Sequence, residues 1–246
     1  MDTEQLYKDI KARTHGEIYI GVVGPVRTGK STFIKRFMDV MVLPRMEDEH
    51  MKEQTRDELP QSAAGKTIMT TEPKFVPNEA VSIKTEEGIE LNVRLIDCVG
   101  YMVEGATGHM EGEEERLVKT PWFDYEIPFT KAAAIGTKKV ITEHSTIGVV
   151  VTCDGSFGEI AAKQYEPAEE ETIKQLKALK KPFVVLLNTI HPYSESTKQL
   201  AEQKEEKYGT KVLPMNLEQM KKDDIYQFLK SILMEFPISS IGFYVP

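Results

Sequence analysis

Gly24-Pro25-Val26-Arg27-Thr28-Gly29-Lys30-Ser31 follows the apolar run 18–23 and is followed by apolar residues at helical spacing over 31–42. Strand, glycine turn and helix form the setting in which G-x-x-x-x-G-K-[ST] works as a phosphate-binding loop. Glycines let backbone N–H groups close around phosphate oxygens, and the helix N-terminus adds the positive end of its dipole. The pattern predicts that Gly24, Val26, Arg27, Thr28, Gly29, Lys30 and Ser31 line the phosphates of a nucleotide. Lys30 is expected against the β/γ oxygens, Ser31 on Mg²⁺, and Thr32 near the α-phosphate.

Working outward, Lys74–Lys84 and 89–96 alternate like strands about the turn at Glu86-Glu87-Gly88, which predicts a hairpin. Residues 44–65 are charged without a sustained period, and 97–129 is expected to be a long, functional connection. Helical spacing over 131–144, 168–179, 194–207 and 223–235 alternates with strand-like runs at Ile147–Cys153, Phe183–Asn188 and 211–215. That alternation predicts an α/β fold of the P-loop NTPase class, a doubly wound, mostly parallel sheet with one antiparallel hairpin strand. The expected organisation is a leader helix over 1–16, a P-loop NTPase domain over 17–236, and a terminal strand over 237–246 that opens a further region outside this sequence.

Leu95-Ile96-Asp97-Cys98-Val99-Gly100 places an acid at a strand tip, where a carboxylate holds Mg²⁺, and a glycine whose N–H can meet a γ-phosphate. Between the two motifs, Gly65-Lys66-Thr67-Ile68-Met69-Thr70-Thr71-Glu72-Pro73 occupies the chain position of a switch loop, so either Thr70 or Thr71 is expected on Mg²⁺ and the γ-phosphate. Catalysis is thus assigned to Lys30, Thr70, Thr71 and Asp97, and the metal to Ser31, Asp97 and one of the two threonines.

A guanine-reading site carries N-K-x-D at the end of the strand that holds Asn188, whereas this chain has Asn188-Thr189-Ile190-His191. A neutral imidazole cannot accept two guanine donors as a carboxylate does. Losing buried hydrogen bonds of that kind removes discrimination of several orders of magnitude, so ATP is the expected nucleotide, with Asn188 in its site. Tyr101 stands where many Ras-like enzymes carry a water-orienting glutamine. Slow turnover is expected, with water positioned by the switch loop, by Glu104, or by a neighbouring subunit.

Composition narrows the remaining classes. The net charge of −8 opposes an intrinsic preference for nucleic acid or anionic lipid. Cys98 and Cys153 end apolar runs and are expected as buried thiols in a reducing compartment. His109, His144 and His191 lack metal-ligand spacing. The first residues lack a signal peptide's basic and apolar regions, which predicts a cytoplasmic protein.

Residues 24–32, 57–65, 67–77 and Asp97-Cys98-Val99-Gly100-Tyr101 closely resemble the stage IV sporulation protein A family. So do Thr120-Pro121-Trp122, Ile127-Pro128-Phe129, residues 143–150 and Lys181-Pro182-Phe183, so the resemblance covers nearly the whole chain. It implies an ATPase derived from translation-factor-like GTPases that uses ATP to self-assemble into the basement layer of the spore coat, on the mother-cell side of the forespore. Its implied partners are itself, as a polymer, other spore coat proteins, and the forespore membrane through a small amphipathic peptide. The family's Walker lysine, Walker aspartate and switch threonines map to Lys30, Asp97, and Thr70 or Thr71. Two other functions are carried forward, a GTPase-type switch and a scaffold that traps nucleotide without turnover; a small-molecule kinase is disfavoured because no arginine-rich lid is present.

Overall fold

A computed structural model describes residues 17–46, 48–60, 72–84 and 90–236. The leader at 1–16, the switch segment with Thr70 and Thr71, and the strand expected at 237–246 lie outside the described residues.

Strand β1 (Glu17–Val23) runs into the glycine loop and helix α1 (Lys30–Phe37), as the motif requires. It pairs in parallel with β3 (Glu90–Asp97) on one side and β8 (Ile147–Cys153) on the other. β2 (Lys74–Lys84) returns antiparallel to β3, completing the hairpin. β9 (Phe183–Asn188) and β10 (Val212–Met215) extend the parallel part, giving the order β10-β9-β8-β1-β3-β2. β8 and β9 are buried along their whole length, which is why they read as unbroken apolar runs rather than alternating ones.

Helices cover both faces. Against one, Ile20, Val22 and Leu95 pack on Phe33 and Phe37 of α1 and on Phe228 of α6 (Lys222–Met234). The Phe33 and Phe228 rings meet edge-on, with centroids 5.2 Å apart. Against the other face, Val23, Ile96 and Val185 pack on Ile141, which follows α3 (Phe129–Lys139), and on Ile173 of α4 (Ala162–Ala178) and Ala201 of α5 (Glu195–Tyr208). β-strand termini and the loops that carry the chemistry therefore emerge along one edge of a core shielded on both sides.

Three expectations need correction. Residues 44–65 contain helix α2 (Glu49–Glu58), which has a single buried residue, Thr55, and so leaves no apolar stripe in the sequence. Its definition is local: Asp48 accepts from His50 N at 2.8 Å and Met51 N at 3.1 Å, satisfying two first-turn donors. The connection 97–129 is not irregular throughout but holds two ribbons, β4 (Met110–Glu111) with β5 (Glu114–Glu115), and β6 (Leu117–Thr120) with β7 (Phe123–Pro128). α4 begins six residues before the expected 168 and carries Pro167 inside it.

Candidate functional site

The strand tips of β1 and β3 bring the two motifs together. Gly29 adopts φ 101 and opens α1 without a side-chain cap or an acidic first turn, leaving its initial N–H groups and positive dipole end for an anion. Gly24 and Gly100 also have positive φ, 127 and 97. A side chain at Gly100 would stand 2.3 Å from Gly24 O and 2.5 Å from Lys30 Nζ, so only glycine lets the two loops approach this closely.

Lys30 is 5 % exposed, and its Nζ donates to Pro25 O, with Gly24 O at 3.5 Å. Burial lowers its pKa, while Cys98 and Asp97 pull the other way. Ser31 Oγ donates to Asp97 Oδ2 at 3.1 Å, joining the two residues expected on Mg²⁺. The other oxygen, Asp97 Oδ1, is buried without a hydrogen-bond partner, and burial raises the carboxyl pKa against the opposing pull of Lys30 and Ser31. A hydroxyl beside a carboxylate with an unpartnered oxygen is a donor set suited to a hard divalent cation, so these residues fit Mg²⁺.

The other loop residues divide by role. Thr28 is buried, and its Oγ1 turns inward to donate to Pro25 O at 3.0 Å. Val26 N donates to Tyr101 O at 2.9 Å and Tyr101 N to Gly24 O at 3.2 Å, so the chain after Asp97 continues the sheet's pairing alongside the phosphate loop. Arg27, at φ 59, reaches out to Thr107, donating to its Oγ1 at 2.7 Å and its carbonyl at 3.3 Å. Thr32 is half-buried on the first turn of α1.

Two residues sit differently from expectation. Gly100 N, expected toward a γ-phosphate, donates at 3.1 Å to Oγ1 of the fully buried Thr137 on α3, a partner with no motif to announce it. Asn188 is a brace: its Nδ2 donates to Thr28 O at 3.0 Å and its Oδ1 accepts from Leu217 N at 3.2 Å. Both polar ends of its amide meet backbone, because the residue is 5 % exposed and must satisfy them locally.

At the base-reading positions, Thr189 is fully buried and donates to Asp154 Oδ2 at 2.5 Å. Its Oγ1 accepts from His191 N at 3.1 Å. Ser156, itself bound to Asp154, accepts from Ile190 N at 3.1 Å, so a short polar network folds this loop onto β8. A residue at this position cannot lay a long stem over a base as lysine would. Tyr101 packs against the cluster that contains Val26, its hydroxyl donates to Gln175 Oε1 of α4 at 2.7 Å, and its pKa is pushed up to about 12 by burial. Glu104 is exposed. Both thiols are buried and unbridged, and burial pushes Cys98 up to about 11.

Among the described residues no helix is long and apolar enough to cross a membrane. Of solved structures, a GTP-binding protein from Sulfolobus solfataricus in complex with GDP is similar at 14 % identity and a TM-score of 0.48, over 94 % of this chain and 57 % of that one. The fold assignment rests on the strand order and the loops described above. Among relatives, stage IV sporulation protein A of Clostridioides difficile is 55 % identical over 98 % of this chain and 49 % of its own length. Those of Bacillus anthracis and Bacillus subtilis are 52 % and 50 % identical over 100 % of this chain and 50 % of their own lengths. The chain thus spans about half the length of these relatives. The family model described as "Stage IV sporulation protein A, ATPase domain" matches residues 1–237, and with these relatives it shows that the chain belongs to the stage IV sporulation protein A family.

Proposed function

We propose that this chain binds Mg-ATP in the loop 24–31 and hydrolyses it slowly to ADP and phosphate, and that nucleotide use drives self-assembly into the basement layer of the spore coat. The observation that carries the catalytic half is the buried, unpartnered Asp97 Oδ1 beside Ser31 Oγ at the foot of a glycine loop. When bound, Mg²⁺ would supply positive charge against the charge that develops on the phosphates. Ser31 and Asp97 would hold it together with Thr70 or Thr71, and Lys30 would exchange Pro25 O for the β/γ oxygens. The family's ATPase domain and the buried Thr189 both favour ATP over GTP. Assembly, the other coat proteins as partners, and attachment to the forespore belong to the whole protein and rest on the family alone.

One feature supports a second reading, a scaffold that traps nucleotide without turnover: Tyr101 spends its hydroxyl on Gln175 and has none for water. Phosphate release with Mg-ATP and Mg-GTP side by side, with Lys30→Ala and Asp97→Ala as controls, separates the readings. ATP-selective release lost in both variants supports the enzyme; GTP-selective release overturns the base argument; stable ATP binding without release selects the scaffold.

A further inference from the structure

Arg27 is the one exposed side chain among residues 24–30, and it forms no ion pair with a carboxylate among the described residues. Its left-handed backbone, φ 59, is uncommon for a residue with a Cβ, and strain of this kind concentrates at working positions. That conformation aims the guanidinium along the stretch that leaves Gly100, where Thr107 holds it by two contacts. The same stretch pairs with the loop through Val26 and Tyr101, so Arg27 stands on the flank of the loop nearest Asp97 and Gly100. In an Mg-ATP site that is the γ-phosphate side. Lys30, the other cation here, is buried within the loop, and Tyr101 is turned to Gln175.

We infer that Arg27 is a catalytic residue, an arginine supplied in cis whose guanidinium leaves Thr107 for the γ-phosphate oxygens in the transition state. The inference rests on the ATP-hydrolysis reading above. A water oxygen bonds to the γ-phosphorus, and the bond to the β–γ bridging oxygen breaks with its electron pair remaining on ADP. The water's proton passes to the phosphate or solvent. Charge spreads over the equatorial oxygens as this happens, and a planar cation with paired donors stabilises it more than it stabilises bound ATP.

The test uses Arg27→Asn, which tolerates left-handed backbone, and Arg27→Lys, which keeps charge but loses the planar fork. Phosphate release under single-turnover conditions is compared with titrations of ATP, ADP, and ADP plus aluminium fluoride, all with Mg²⁺. The expected result is release slowed about 100-fold or more in Arg27→Asn, ATP affinity within about 3-fold of the parent, selective loss of the fluoride complex, and little rescue by lysine. Unchanged release, or equal weakening of all three ligands, would overturn the inference and leave Arg27 as a loop-shaping residue. A parent protein that forms the fluoride complex while Arg27→Asn forms it equally well sinks the Arg27 role alone. A parent that binds ATP but neither releases phosphate nor forms that complex sinks the hydrolysis reading and this inference with it.

Discussion

The backbone N–H of Gly100 is hydrogen-bonded to the side chain of Thr137 at 3.1 Å, and Thr137 Oγ1 in turn donates to Ala133 O at 2.8 Å. This ties the loop after β3 to helix α3 at the residue the motif assigns to a γ-phosphate. A phosphate that takes this donor must take it from the threonine, so the hydroxyl favours ligands without a γ-phosphate. Thr137→Val keeps the shape and removes the acceptor. It is expected to cost about 1–2 kcal/mol of stability, from a buried N–H left unpaired, and to raise the ratio of ATP to ADP affinity about 3- to 10-fold. Paired titrations and denaturant melts check both; an unchanged ratio would show that Gly100 N–H takes no part in sensing the γ-phosphate.

Gly100→Ala tests the close approach itself. The added methyl would meet Gly24 O and Lys30 Nζ well inside contact distance, on a backbone at φ 97. The expected outcome is loss of nucleotide binding with destabilisation of about 2–4 kcal/mol, read by calorimetric titration and thermal melting.

Asn188→Ala removes both contacts of the brace, leaving Thr28 O and Leu217 N without their side-chain partner. A loss of about 2–4 kcal/mol is expected, together with weaker binding of ATP and GTP alike. Asn188→Asp keeps the acceptor for Leu217 N but sets a carboxylate against Thr28 O, and should be no better. Selective loss of one nucleotide in either variant would return Asn188 to base recognition.

The thiols give a pH-dependent test. Because burial raises the Cys98 pKa to about 11 from an ordinary 9.0, its thiolate is scarcer than that of a free thiol at any pH below the raised value. At pH 8 the thiolate fraction falls about 100-fold, and buried packing slows attack further. Cys153 shifts in the same direction for the same cause. Neither should react with an aromatic disulfide reagent at pH 8 while the protein is folded, and both should react in denaturant. Fast labelling of either thiol in the folded protein would contradict the packing described.

Much of this fold was legible because its central strands are buried on both sides and its glycine motif needs one geometry. β8 and β9 announce themselves as apolar runs, and residues 24–31 dictate strand, turn and helix. α2 stayed hidden since it packs little and is held by its Asp48 cap and by surface pairs such as Lys52 with Glu49. The β6–β7 ribbon stayed hidden because only Thr120 and Ile127 are buried in it and no apolar side separates from a polar one. That Ser31 and Asp97 meet beside Lys30 was readable from the two motifs, because each stands at the end of a strand of the same sheet. Thr137 and Gln175 were not, since they reach the loop from α3 and α4 across sequence separations of 37 and 74 residues. For Asn188, sequence shows that an amide is present, and only packing shows that it also braces Thr28 O and Leu217 N.

That amide links the end of β9 to two loops, after β1 and after β10, through Thr28 and Leu217. The glycine loop and the loop after β10 are therefore tied to the tip of β9 as one frame. In the nucleotide site proposed for this chain, such a frame acts as a caliper, setting the span between phosphates and ring before any ligand arrives.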